Sequence, residues 1–578
     1  MRILLLCHGF NSLSQRLYAE LALRDHELSV ELDISDEVTL EAVERFRPEL
    51  VIAPYLKRAI PESVWRRYRC LIVHPGPPGD RGPSALDWAV LKGEKTWGVT
   101  VLQAEAEMDA GPVWAWREFA MRNARKSALY RLEATETAVA AVLEAVAHAG
   151  EAGFSPAPAA DIPGAGRHGW QPSMNPSARR IDWESDTTAT VLRKIHCADG
   201  SPGVEATVLG IACRLFDARP APGWRGEAGQ VIGCHGEAVC LATADGAVWI
   251  GRLRGPGDGA PPFKLPATQV LGERRLAGVP RLGGDITAVS AEGYADIRYE
   301  EDGPVGLLHF DFYNGAMSTA RCRRLLAAYR QARARPTRVI VLAGGAEFWS
   351  NGLDLNAIEA AASPADESWR NIVAMDDLAR EIITTTDKLT VSALQGNAGA
   401  GGVFLALAAD EIHARRGIVF NPHYQNMGNL YGSEYWTYLL PRRLGYKTAA
   451  ALMQHRLPVL ADTTRSWGLV DAVGDPDPAT FLAAVRERAH QLADAGDFAR
   501  RIRRKREERN RDETLRPLAQ YRDEELEHMK LNFYGFDPSY HVARYKFVHR
   551  VPHAWTPLYL ARHRRLEWQG PGSGWPSP

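Results

Sequence analysis

Three places in the sequence gather residues able to move a proton or stabilise a developing charge. His74 and Asp109 stand in the stretch 72–113, which is also dense in Gly and Pro. An imidazole and a carboxylate together can assist proton transfer during group transfer, although His/Asp pairs also serve as plain structural contacts. Gly399, Ala400, Gly401 and Gly402 open an Ala-rich helical stretch. Backbone N–H groups at such a start lack intrahelical partners and suit a developing negative charge; taken alone, the same glycines read as a tight turn. The segment FNPHYQNMGNLYGSEYWTYLL (420–440) concentrates Asn421, His423, Tyr424, Tyr431 and Glu434. A phenol and a carboxyl can between them transfer one proton without a metal, which singles out Tyr424 and Glu434, with His423 beside them.

These residues need scaffolds, and the hydrophobic pattern supplies them. Apolar runs at 2–7, 49–53 and 69–73 alternate with helical patterns, as in a parallel sheet buried on both faces. The helix after Ser35 carries Val38, Ala42 and Phe46 and stops before Pro48. Ligands of such sheets gather at strand ends, here His8-Gly9, Pro54-Tyr55 and His74-Pro75. An Ala/Gly/Pro-rich linker at 150–180 precedes a helix candidate at 187–196 and strand-like pieces at 228–233, 237–243 and 247–252, a small β-barrel-like module. After a second Gly/Pro-rich connection at 276–290, strand signals VGLLHFDF and TRVIVLAGG flank a helical pattern over 315–334. The Arg/Lys/Glu-rich stretch at 498–512 reads first as the solvated face of a helix and second as a contact for ligand phosphates.

The front half resembles the formyltransferase family that uses 10-formyltetrahydrofolate and includes methionyl-tRNA formyltransferase. The matching pieces are APYLKRAIP (53–61), His74-Pro75, RGPSALDWAVLKG (81–93), GVTVL (98–102) and DAGPV (109–113). The resemblance implies catalysis by His74 and Asp109, folate contacts from Tyr55, Pro75, Arg81 and Gly82, and a family β-barrel over 178–275. The family's Asn two residues before the His is here Ile72. Loss of an oxyanion donor costs roughly 3 to 4 kcal/mol in other acyl-transfer enzymes. A reactive acceptor would offset that, and a thiol, partly ionised near neutral pH, fits better than an amine.

The back half resembles the crotonase (enoyl-CoA hydratase/isomerase) family through FYNGAMS (312–318), VIVLAGGAEFWSNGLDLN (339–356), ALQGNAGAGGVFLALAAD (393–410) and SWGLVDAV (466–473). The resemblance implies an oxyanion hole from the N–H groups of Leu353 and Gly401, with Gly399, Ala400 and Gly402 around a CoA thioester. Phe404 and His423 stand at the two catalytic Glu positions of the hydratases, so water addition is not the expected reaction.

The two halves in this order resemble the HypX (HoxX) family of hydrogenase-maturation proteins. That implies an α/β multidomain chain: a formyltransferase-like Rossmann-type domain (1–165), a formyltransferase C-terminal-like β-barrel module (166–285), a crotonase-like CoA-binding domain (286–500) and a helical tail (501–578). The implied function is formation of the CO ligand of [NiFe]-hydrogenase, by formyl transfer from 10-formyltetrahydrofolate to CoA and decarbonylation of formyl-CoA. A bifunctional formyltransferase and acyl-CoA isomerase or hydrolase, and a non-catalytic folate- and CoA-binding assembly factor, are the alternatives. With 69 basic and 70 acidic residues and a net charge of -1, the 578-residue chain offers no footprint for nucleic acid or an anionic membrane. Seven scattered cysteines without CxxC pairs predict a reducing, cytoplasmic setting and no metal centre. MRILLLCHGF reads as a first strand and no run reaches membrane-span length. Hydrogenase-maturation machinery is the expected partner.

Overall fold

The computed structural model describes residues 1–163, 168–257, 262–283 and 293–568. The first sheet runs in the order Glu27–Leu32, Arg2–Cys7, Leu50–Tyr55, Cys70–His74, Thr96–Gln103, Val113–Ala120. The first four strands are parallel and the last two antiparallel. Its core is the apolar run Ile3 to Cys7 with Val51, Ile52 and Leu71, all buried. The helix Asp36–Phe46 starts on the Ser35 side chain, which accepts from Val38 N at 3.2 Å, and ends at Arg47 in the left-handed region.

The strand Glu27–Leu32 is absent from the sequence reading, and the reason is visible. Its Ser29 and Glu31 are polar yet fully buried, which breaks the apolar signature of a covered strand. The chain's C-terminal segment covers them. His563 meets Ser29 Oγ at 2.7 Å and Glu31 Oε2 at 2.9 Å, Arg564 donates to Glu31 at 2.6 Å, and Val30 N donates to Leu560 O at 3.0 Å.

The second module packs the helix Thr188–Ala198 against an antiparallel sheet ordered Val204–Val208, Ile211–Pro220, Ala247–Arg254, Ala238–Ala242, Val231–His235, with Lys264–Pro266 joined to Ala247–Arg254. Among the described residues no ladder joins the two outer strands, so the barrel-like curl stays open. The 276–290 connection is described only as far as 283.

The back half holds a six-stranded sheet, Ile297–Asp302, Val305–Phe310, Val339–Gly344, Leu389–Leu394, Glu411–Arg415, Ala472–Gly474. Beside it lies a smaller sheet of Phe348–Ser350, Asn397–Gly399, Val419–Asn421 and Val459–Leu460. The expected 315–334 helix is Thr319–Ala334, started by the Ser318 side chain. Helices Phe498–Leu515, Leu518–Tyr534 and Ser539–His549 follow, after which the tail runs without long helices back to the first sheet. A half-buried junction ties the modules together: Arg125 pairs with Asp217 at 2.7 Å and Glu347 at 2.6 Å, and Arg131 pairs with Glu347 at 2.7 Å. Among the described residues no helix is long and apolar enough to cross a membrane.

Candidate active sites of the two halves

At the front, the strand Cys70–His74 delivers His74 to its carboxyl end, where the ring is 4 % exposed. Asp109 Oδ2 lies 3.4 Å from Nδ1 and also accepts from Gly82 N at 3.0 Å. The pair singled out from sequence is therefore brought together. A third member was missed: Asp80 Oδ2 lies 2.9 Å from His74 Nε2, and its Oδ1 is buried without a partner. The PPGD turn six residues after His74 was the available signal, closed by Asp80 N donating to Pro77 O at 3.0 Å. Gly76 is required here, since a Cβ would come within 2.4 Å of Asp80 Oδ2 and 2.5 Å of His74 Nε2.

Of the expected folate contacts, Pro75 O accepts from Trp97 Nε1 at 2.7 Å, Arg81 pairs with Glu107, and Gly82 adopts φ 115° against the Gln171 carbonyl. Tyr55 O accepts from His8 N at 2.7 Å, and burial raises its phenol above the usual range. Ile72 pairs with Ala53 and Leu102 and packs into the apolar layer with Val51 and Ala53. It supplies no donor.

At the back, Gly401 opens the helix Gly401–Leu407, so its N–H is among those no intrahelical carbonyl can reach. Gly352, just before Leu353, lies alongside: a Cβ built on it would sit 3.4 Å from Gly401 N. The two expected oxyanion donors thus belong to one corner. Ala400 turns that corner at φ 47°, a region L-residues rarely occupy, held by its N–H to Asn421 O at 3.0 Å. Gly402 has its own constraint, since a Cβ would meet Ser350 O at 2.2 Å.

Glu434 faces this corner. A Cβ on Gly401 would lie 2.2 Å from its Oε1, an atom that is buried without a partner. Tyr424 donates its hydroxyl to Glu434 Oε2 and stacks on Phe404, centroids 5.4 Å apart. Phe404, at the position of a hydratase carboxylate, thus serves as a platform for the phenol. Burial and the neighbouring Asp376 push the Glu434 carboxyl up to about 8. His423 is buried with both ring nitrogens unpartnered, and burial pulls it down to about 4, leaving a neutral imidazole near pH 7. Tyr431 instead stacks on His528 at 4.0 Å. Asn421 Nδ2 donates to Gln15 Oε1 at 3.0 Å, tying this loop to the front half.

A cavity of about 400 Å³ lies between the halves. Leu353, Gly399 to Gly401, His423, Tyr424 and Glu434 form its back wall, and Phe10, Gln15 and Leu32 its front wall. His553, Pro557, Tyr559 and Leu560 of the tail close one side. The front-wall residues were not identified from sequence, although Phe10 and Gln15 follow the His8-Gly9 strand end; Leu32 ends the strand Glu27–Leu32. Neither His74 nor Asp109 lines the cavity, nor does any residue of 498–515. That helix instead pairs Arg500 and Arg501 with Asp497 and Arg504 with Glu508 near at hand, and Lys505 with Asp410 of the crotonase-like domain.

Comparison with known proteins accounts for both halves. The formyl transferase family matches residues 14–141, its C-terminal domain 173–261, and the enoyl-CoA hydratase/isomerase family 311–555. Hydrogenase maturation factor HoxX of Bradyrhizobium diazoefficiens is 56% identical over 567 residues, 98% of this chain and 97% of that protein. The chain belongs to the HypX/HoxX family. Within that family, the crystal structure of HypX from Aquifex aeolicus in complex with tetrahydrofolic acid superposes with a TM-score of 0.94 at 51% identity, covering 98% of this chain and 99% of that one. Methionyl-tRNA formyltransferase of Dechloromonas aromatica is 28% identical over 212 residues, 36% of this chain and 65% of that protein. As a HypX/HoxX family member the chain is a hydrogenase maturation factor with formyltransferase and crotonase-like domains.

Proposed function

We propose that the chain makes CO for hydrogenase maturation from two substrates, 10-formyltetrahydrofolate and CoA, in the cytoplasm. Residues 1–165 and 166–285 carry the formyl transfer, 286–500 the decarbonylation, and in the 501–578 tail His553, Pro557, Tyr559 and Leu560 close the space between them. The observation that carries this reading is the cavity shared by both halves, which brings the unpartnered Glu434 Oε1 and the Gly401 corner within one enclosure reaching Phe10 and Gln15. Its volume lies in the range that encloses a small-molecule ligand.

In the first step the bond from the folate N10 to the formyl carbon breaks and a bond from that carbon to the CoA sulfur forms. The thiol proton ends on N10, assisted by His74 held between Asp80 and Asp109. In the second step the formyl C–H bond breaks, its proton passing to the ionised Glu434 Oε1 while its electron pair stays on carbon. The C–S bond breaks with its pair to sulfur, CO leaves, and the same proton passes to the thiolate. CoA is regenerated, and the Leu353 and Gly401 N–H groups hold the carbonyl oxygen. No oxidant or reductant enters.

A basic group is suited to the CoA phosphates. Arg131 donates to Asn314 Oδ1 at 3.1 Å, while Arg550 and Lys264 both donate to Gly200 O, at 3.5 and 2.8 Å. Asn314 O accepts at 2.9 Å from Asn351, which lines the cavity. Burial brings the Lys264 ammonium down to about 7, with Asp199 opposing the fall and Arg550, Arg131 and Arg254 adding to it; a phosphate placed there would favour its charged form.

The test is CO trapped by ferrous haem from isotopically labelled 10-formyltetrahydrofolate with CoA supplied below the folate concentration. Labelled CO in excess of CoA is expected. Its absence while the folate binds would overturn the reading.

A further inference from the structure

Behind Glu434 lies a second tier of acidic side chains that the two-step scheme does not use. Asp376, on the helix Pro364–Ile383, and Glu525, on the helix Leu518–Tyr534, are both fully buried. Ser433 Oγ stands between them, 2.9 and 3.0 Å from the Asp376 carboxyl oxygens and 3.2 Å from Glu525 Oε2. Asp376 Oδ1 also accepts from Glu434 N at 2.8 Å, and Glu525 accepts from Tyr435 N at 2.9 Å and Thr437 N at 2.8 Å. Glu434 and Tyr435 sit consecutively in the left-handed region, φ 59° and 60°. The two inner carboxyls therefore hold a strained turn in the orientation that aims Glu434 Oε1 into the cavity.

Three carboxyls within one buried cluster cannot all ionise. Among the described residues, the cation paired with the inner tier is Arg522, 3.6 Å from Asp376 Oδ2 and shared with Asp377 at 2.8 Å. The other titratable groups around Glu434 are Tyr424 in its own loop and Cys322 on Thr319–Ala334. His423 shares the cavity wall with it. None of these three brings a positive charge at neutral pH; Arg456, which lines the same cavity, does, and donates to Gln425 Oε1 and Asn429 Oδ1. Burial pushes Asp376 up to about 7, and burial together with Asp376 raises Glu525 well above the ordinary carboxyl range.

We propose that Asp376, held by Ser433 and by the Glu434 backbone N–H with Glu525 as a further brace, is a positioning residue that shares protons with Glu434, setting the pH at which Glu434 becomes a base strong enough for the formyl C–H. This rests on the decarbonylation reading for its catalytic meaning, while the proton sharing itself is a property of the resting protein. An acidic cluster left to itself would be inert; here the free, buried Glu434 Oε1 gives it an outlet to a ligand.

The experiment has two arms. CO release from supplied formyl-CoA is followed against pH, and the infrared carboxyl band that is lost in Glu434→Gln is titrated in the full-length resting protein. In the unsubstituted protein both midpoints are expected near pH 8. In Asp376→Asn, both are expected to move to lower pH by roughly one unit, because a competing negative charge has been removed. Should Asp376→Asn fail to fold, Arg522→Gln carries the same expectation, since without its cation Asp376 keeps its proton while Glu434 ionises and the competing charge is absent. Loss of rate without movement of either midpoint would overturn the proposal and leave these residues as braces of the turn. If formyl-CoA yields no CO at all, the functional reading falls, and the infrared titration still decides the proton sharing on its own.

Discussion

The two halves treat their buried acid–base groups in opposite ways. His74 in the front half has carboxylate oxygens at both ring nitrogens, 2.9 and 3.4 Å away, leaving neither nitrogen unaccompanied. Glu434 in the back half keeps one oxygen unpartnered against the Gly401 corner, with further carboxyls behind it in place of a countercharge. The first arrangement fixes an imidazole in place between two carboxyl groups. The second withholds stabilisation from the charged form, which makes that form a strong base when it appears. On the proposed scheme, transfer from nitrogen to sulfur needs only a relay, whereas removing a proton from carbon needs basicity, and the two environments suit those demands.

That contrast can be broken by substitution. The largest effect is expected from Glu434→Gln, which should lower CO release from formyl-CoA by about 1000-fold, within the usual range for losing an acid–base group. Formyl-CoA should then accumulate from formyl-tetrahydrofolate and CoA, detected by chromatography; retained CO release would mean that the unpartnered oxygen is not the base. His74→Ala is the mirror image. Formyl transfer to CoA should fall about 100-fold while CO from supplied formyl-CoA is unchanged. A parallel loss of both activities would show that the halves are not chemically separate.

Asp80→Asn sharpens the front side. It removes a charge-assisted hydrogen bond to His74 Nε2, usually worth about 1.5 to 3 kcal/mol, so a loss of about tenfold or more in transfer is expected, with folate affinity little changed. The smallest effect is on stability. Glu434 and Asp376 hold their protons to about 8 and about 7, against 4.5 and 3.8 for the free groups, so the folded state binds more protons than the unfolded one between those limits. Stability of the back half should therefore fall as pH rises from about 4 to 8. A melting temperature lower by about 5 °C across that window is expected by calorimetry, with a flatter profile in the Glu434→Gln, Asp376→Asn double variant.

Much of the architecture is legible in the amino-acid order. The apolar runs at 2–7, 49–53 and 69–73 and the helix after Ser35 lie where period and capping place them, because each is encoded within a few residues. Glu27–Leu32 is not legible, since Ser29 and Glu31 are made core residues by His563 and Arg564, over 500 positions away. At the sites, His74, Asp109, Gly401, Tyr424 and Glu434 stand out by residue type, spacing and family resemblance. Asp80, Asp376, Glu525 and Gln15 do not, because a lone carboxyl or amide on a helix or turn carries no local mark of the partner it meets after folding.

By itself, the sequence determined the order of the modules, the residue types available for proton transfer, and the two departures Ile72 and Phe404. Tertiary structure alone decided that Phe404 lies under Tyr424, that His74 is flanked by two carboxyls, and that Phe10 and Glu434 face one cavity. The reason is physical: short-range patterning sets strands, helices and turns, whereas the protonation of a buried group depends on which distant charges and apolar surfaces the packed core brings around it.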